Sequence, residues 1–190
     1  MNTGDPEHTF PPVTQRFLRY VRIDTQSDPT SETVPSTEKQ KNLARVLVDE
    51  LCEIGLKDVE MDQYGYVVST IPGTLKANSH GKQTVLALLA HMDTAPDESG
   101  ANVLPIVHPP YDGGTIVLPG DPAVKLDPAR QPALLRHKGE RVITSDGTTL
   151  LGSDDKAGVA ILVQLAEDLL RDESPRPTIR LCFTIDEEIG

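Results

Sequence analysis

The sequence has little from which to build a disulfide framework, a membrane span or a phosphate-binding surface. It holds two cysteines in 190 residues. Cys52 sits in a helical pattern and Cys182 in a strand pattern, so both read as small buried hydrophobes rather than a cystine scaffold or zinc knuckle. No extended apolar run occurs, which leaves no candidate membrane span, and 37% hydrophobic content fits a soluble globular domain. Basic residues are the scarcer sign. Eighteen Lys and Arg against 29 Asp and Glu give a net charge of −11, poor support for nucleic acid as a partner. Asp5 and Glu7 stand where a secretory signal needs a basic region and an apolar run, so a cytoplasmic location is expected. Gly-x-Ser-x-Gly and His-Glu-x-x-His are absent, and Gly81-Lys82 lacks the upstream glycine of a phosphate loop. Serine-hydrolase, P-loop and gluzincin chemistries therefore fall away.

What is present reads as an α/β chain. Val13, Phe17, Tyr20 and Val21 recur at helical spacing between Pro12 and Ile23, with Pro12 suited to a first helical position. A second helix is expected from a Thr37/Gln40 capping box, with Leu43, Leu47, Leu51 and Ile54 as its apolar stripe and Gly55 just past its end. Strands are expected over Val59 to Met61 and Tyr66 to Ile71, joined at Gly65, and over Thr84 to Ala90, whose near-continuous apolar run suits burial on both faces. Prolines and glycines crowd between Pro96 and Pro132, in a long loop or a set of short hairpins that a compact domain seldom carries without a functional reason. Arg141 to Ser145 and Thr148 to Leu151 suggest a hairpin around Asp146-Gly147. A helix then follows Gly152, and a last strand runs from Thr178 to Ile185. The expected fold is a mixed, largely parallel sheet covered by helices on both faces. No internal repeat or domain linker interrupts it.

The chemistry concentrates in three places: Ala90-His91-Met92-Asp93-Thr94, Gly152-Ser153-Asp154-Asp155-Lys156-Ala157-Gly158 and Asp186-Glu187-Glu188. Each falls where a strand-like or Gly-rich stretch gives way to a turn, which is where α/β proteins gather ligands. Two divalent ions roughly 3.5–4 Å apart need a shared carboxylate, outer ligands and a base for water, and these segments offer candidates for each. Period-two alternation puts His91 and Asp93 on one face, so the carboxylate could fix the imidazole tautomer. Taken singly, each has a plainer account: a capped strand end with a surface histidine, a helix start capped by Asp154-Asp155, a solvated acidic turn at Glu187-Glu188. Their common placement, and three consecutive acids at the end of a strand, favour a cation. His8, His80, His108 and His137 lie in polar or Pro/Gly-rich surroundings and are assigned no role.

Longer strings carry a resemblance. Asp24-Thr25-Gln26-Ser27, Pro35-Ser36-Thr37-Glu38, Ala90-His91-Met92-Asp93-Thr94-Ala95-Pro96-Asp97, Tyr111-Asp112-Gly113-Gly114, the run from Asp146 to Gly158, and Asp186-Glu187-Glu188-Ile189-Gly190 resemble the N-terminal half of the peptidase T family. These are tripeptide aminopeptidases of the M20 group of dinuclear zinc peptidases. The resemblance runs from about Phe17 to Gly190. It implies that His91 binds one zinc, that Asp93 orients His91, that Asp154 bridges both ions, that Glu188 ligates the second and that Glu187 is the general base. It also implies a peptide substrate and a homodimeric complete enzyme. Family members finish the site with a further carboxylate and a distant histidine, and insert a lid or dimerisation domain between them. The expectation is therefore that residues 1–190 form the N-terminal part of a catalytic domain, with weak metal binding and little turnover alone. Dipeptides or N-acyl amino acids are the alternative substrates, and a non-catalytic product is the alternative class.

Overall fold

The computed structural model describes residues 10–76 and 83–190. His8, His80 and Gly81-Lys82 lie outside these. Pro12 opens helix α1, Pro12–Tyr20, at its first turn. Helix α2 spans Gln40–Glu53 and ends in the expected left-handed Gly55 (φ +111°), where Leu56 N–H reaches Leu51 O at 3.1 Å and Gly55 N–H reaches Cys52 O at 3.0 Å. Its start departs from expectation. Thr37 Oγ1 donates to Gln26 O instead of capping the helix, and the N-terminus has no side-chain cap.

Strands β1 (Glu60–Met61) and β2 (Val67–Ile71) form an antiparallel hairpin. Asp62 Oδ1 accepts the N–H groups of Tyr64, Gly65 and Tyr66 at its turn. Strand β3 spans Val85–His91. In the Pro-rich stretch, β4 (Ile106–Pro110) precedes the short pair β5 (Ile116–Val117) and β6 (Lys125–Leu126). Strand β7, Arg141–Thr144, pairs antiparallel with β4. The expected hairpin partner, 148–151, is not a strand, because Ser145 Oγ and the Asp146 carboxylate bind Thr149 O and Thr148 N–H to turn the chain. Helix α3 covers Ser153–Arg171 and β8 covers Thr178–Thr184.

The main sheet has the order β1-β2-β8-β3. It is mixed, as expected, but only the β3–β8 pairing is parallel, so the largely parallel sheet is corrected to a partly parallel one. Val67, Ser69 and Ile71 of β2 lie opposite Phe183, Leu181 and Ile179 of β8, and all six are buried. They pack with Leu43, Leu47 and Leu51 of α2 and Val159, Val163 and Ala166 of α3 in one core. The alternate residues Thr70, Arg180, Cys182 and Leu89 are half-buried or exposed, so the described residues cover the sheet on one face rather than two. β3 accordingly leaves Val85 and Leu89 exposed where double burial was expected, and Leu86, opposite Ile179 on the covered face, is exposed as well. Cys52 is also exposed, on the outer side of α2.

A polar staple ties the helices together. Arg16 on α1 binds Glu50 on α2 at 2.7 Å and Glu167 on α3 at 2.6 Å, while Tyr20 Oη donates to Glu50 at 2.6 Å. Among the described residues no helix is long and apolar enough to cross a membrane.

Candidate metal centre

Parallel pairing of β3 with β8 brings His91 opposite Thr184, so both strands end at the same edge of the sheet. The chain then turns from Met92 to Asp93 on one side and from Ile185 to Glu188 on the other. Glu187–Ile189 is a single 3-10 turn. The third contributor is the start of α3. Gly152 approaches it with φ +74°, and a Cβ there would stand 3.1 Å from Thr94 Cγ2, so the close approach of this loop to the β3 end suits glycine. Asp155 Oδ1 accepts Gly158 N–H at 3.0 Å and so caps the helix. Asp154 does not turn inward. Its side chain is 86% exposed and its Oδ1 lies 3.1 Å from His91 Nε2.

Asp93 is fully buried behind His91. Its Oδ1 lies 3.3 Å from His91 Nδ1, which its backbone O also approaches at 3.1 Å, and its two carboxylate oxygens accept the N–H groups of Glu187 at 3.0 Å and Glu188 at 3.1 Å. One carboxylate thus aligns the imidazole and fixes the acidic pair. Burial opposes its charge, yet these hydrogen bonds hold the Asp93 carboxyl below its ordinary range. Burial likewise pulls against charge on His91, but the Asp93 and Asp154 hydrogen bonds and the neighbouring carboxylates lift it to about 9. The Glu188 carboxyl is raised, by burial first and then by Asp154, Asp93 and Glu187 against the opposing His91.

His91, Asp154 and Glu188 each offer one ligand atom, and the three lie within 4.8 Å of one another. One imidazole nitrogen and two carboxylate oxygens suit a divalent ion of the zinc type, with the second imidazole nitrogen already held by a carboxylate. Glu187 Oε2 stands 3.8 Å from His91 Nε2 and is 62% exposed. Beside the group, Ala95, Leu150, Leu151 and Gly152 line a cavity of about 250 Å³ that Asp154 and Glu188 also border.

Two polar residues escaped the sequence reading. Lys156 is buried under the centre and donates to Ile23 O at 2.7 Å, and burial draws its pKa down to about 8 against the charges of Asp24 and Asp93. Asp186 turns away from Glu187 and Glu188. Its carboxylate accepts Ser36 N–H at 2.7 Å, Ser36 Oγ–H at 2.5 Å and Gln40 Nε2–H at 2.6 Å. Both lie in quoted motifs, but no local pattern marked their partners.

No protein-family model matches the chain. A protein named peptidase T from Geobacillus kaustophilus (strain HTA426) is 49% identical to it over 177 residues. The chain is homologous to peptidase T. The match covers 93% of this chain and 42% of that relative, and the peptidase T of Halothermothrix orenii, 47% identical over 179 residues, gives 94% and 43%. The chain thus spans less than half the length of the curated peptidase T relatives it matches. A tripeptidase from Staphylococcus aureus subsp. aureus Mu50 superposes with a TM-score of 0.59 at 25% identity, over 94% of this chain and 37% of that one. The aminopeptidase PepT from Bacillus cereus ATCC 10987, at 23% identity and TM-score 0.60 over the same shares, has the same fold.

Proposed function

We propose that residues 1–190 form the N-terminal, metal-holding part of a metallo-aminopeptidase that releases the first residue of tripeptides. The observation that carries this is the convergence of His91, Asp154 and Glu188 within 4.8 Å, in a chain homologous to peptidase T. His91, Asp154 and Glu188 are the residues that would hold a pair of zinc ions, with Asp154 as the ligand common to both, His91 serving one and Glu188 the other. Bound there, zinc would supply Lewis acidity toward the scissile carbonyl and lower the pKa of water. The protein side of the work falls to the residues around it. Asp93 keeps His91 Nδ1 protonated and Nε2 directed at the centre, and Glu187, exposed beside His91, takes the proton from the attacking water and can return it to the leaving amine. Ala95, Leu150 and Leu151 offer an apolar wall against which a peptide side chain can lie. Two unpaired cysteines, Cys52 and Cys182, fit a reducing cytoplasm. A homodimer of the complete enzyme belongs to the same proposal.

The test separates base from ligand. Cobalt(II) titrated into the chain should give visible bands that Asp154→Ala abolishes and Glu187→Gln retains. In a polypeptide of the relatives' full length, Glu187→Gln should lose about 10²–10⁴-fold in tripeptide turnover, the range of general-base catalysis. A Glu187→Gln chain that loses metal while Asp154→Ala keeps it would reverse the assignment. Turnover of N-acylated substrates in preference to free tripeptides would move the function to the N-acyl amino acid hydrolases.

A further inference from the structure

We infer that Asp186 is a positioning residue whose carboxylate, clamped by Ser36 and Gln40 at the head of α2, sets the turn that presents Glu187 and Glu188 to the metal centre. This rests on the metal-centre reading above and extends it to a residue outside the ligand set. β8 ends at Thr184, and the acidic pair sits on a single 3-10 turn, Glu187–Ile189. Two anchors fix that turn. Asp93 takes the N–H groups of Glu187 and Glu188 from one side. From the other, Asp186 receives three donors at 2.5–2.7 Å and returns its own N–H to Gln40 Oε1 at 3.2 Å.

The clamp has the marks of a built feature. Gln40 is 0% exposed and Ser36 7%, so a donor left unmatched there has no water to turn to. Bonds to an ionised acceptor are the strong kind. Asp186 also holds a left-handed backbone, φ 55°, which Asp tolerates better than most residues and which swings the chain from β8 into the turn. Both of its oxygens are spent on Ser36 and Gln40, leaving Glu188 rather than Asp186 to face His91 and Asp154.

Asp186→Asn keeps the shape but replaces one acceptor oxygen by an NH2 that must face either Gln40 Nε2 or Ser36 N–H, donor against donor. Adding Gln40→Glu restores a donor–acceptor pair, since the new carboxylate accepts both the Asn side chain and the residue 186 N–H. With cobalt(II) chloride and the whole chain, Asp186→Asn should weaken binding roughly ten- to hundred-fold and shift the visible bands, the usual penalty for losing an outer-shell partner. The double variant should recover most of the affinity and the original bands. Thermal unfolding is followed in parallel, because a role in folding alone would lower the midpoint and leave the bands of the folded chain unchanged. Should Asp186→Asn fail to fold, the near-isosteric Gln40→Met removes two of the four bonds and carries the same test. The inference is overturned by an Asp186→Asn chain, or in its place a Gln40→Met chain, with unaltered cobalt affinity and bands, or by a double variant as weak as the single. An unaltered chain that takes up no cobalt overturns the metal-centre reading, and this inference with it.

Discussion

His91 meets a carboxylate on each side of its ring, and that arrangement has a consequence for stability as well as for metal. Its folded value of about 9 stands above the ordinary 6.5. A raised value means that the folded chain binds the proton more tightly than the unfolded chain, so the stabilisation is complete below pH 6.5 and fades as pH rises toward 9. Its size is on the order of 2 kcal/mol. Lys156 works with the opposite sign, since its value of about 8 lies below the ordinary 10.5 and stability recovers as pH rises between the two, where the folded chain has given up a proton that the unfolded chain still holds. Urea unfolding of the metal-free chain at pH 6 and pH 9, set against His91→Gln, isolates the first effect because Lys156 is common to both. The unaltered chain should lose stability over that interval relative to the variant, and parallel profiles would contradict the pairing. At this scale the His91–Asp93 contact was legible because residues two apart at the extended end of a strand share a face. The second task of Asp93 was not, because Glu187 and Glu188 are 94 and 95 residues away.

Among the elements, the missing cap at the start of α2 has a clear cause: polar side chains that could serve locally are taken by distant partners. Thr37 and Gln40 have capping-box spacing, yet Thr37 is drawn to Gln26 O and Gln40 to Asp186. The Gly55 helix end and the Gly65 turn were read correctly because each depends on a positive φ that glycine alone adopts at little cost. The same competition makes α1 depend on its neighbours. Arg16 has a side chain 8% exposed, and Glu50, 12% exposed, serves Arg16, Arg19 and Tyr20 together. Glu50→Ala leaves Arg16 with Glu167 and Gln164 but strips Tyr20 of its acceptor, which should cost about 2–3 kcal/mol. Equilibrium urea denaturation measures it, and a loss within about 0.5 kcal/mol, the level of an ordinary surface change, would show that the staple is not structural.

For the molecule as a whole, the apolar run at Thr84 to Ala90 correctly announced a strand and misjudged its surroundings. Seven residues with no charge before His91 suit a strand covered on both sides. Among the described residues β3 instead pairs only with β8, and Val85, Leu86 and Leu89 are 57%, 46% and 65% exposed. Nothing on that free edge resists pairing: it has no proline, no lysine and no bulge, the devices that keep sheet edges apart. A second copy would meet the edge with an identical one, and antiparallel pairing about Leu88 would set Ala87 opposite Leu89 and Leu86 opposite Ala90, apolar against apolar. The net charge of −11 opposes this association at long range, so added salt should strengthen it by screening. Sedimentation velocity over a concentration series should therefore show self-association that rises with salt. Leu89→Lys changes an exposed position and should cost the monomer less than about 0.5 kcal/mol while placing like charges close together across the paired edge. It should restore a monomeric profile, and a variant that associates as strongly as the unaltered chain would place the contact on another surface.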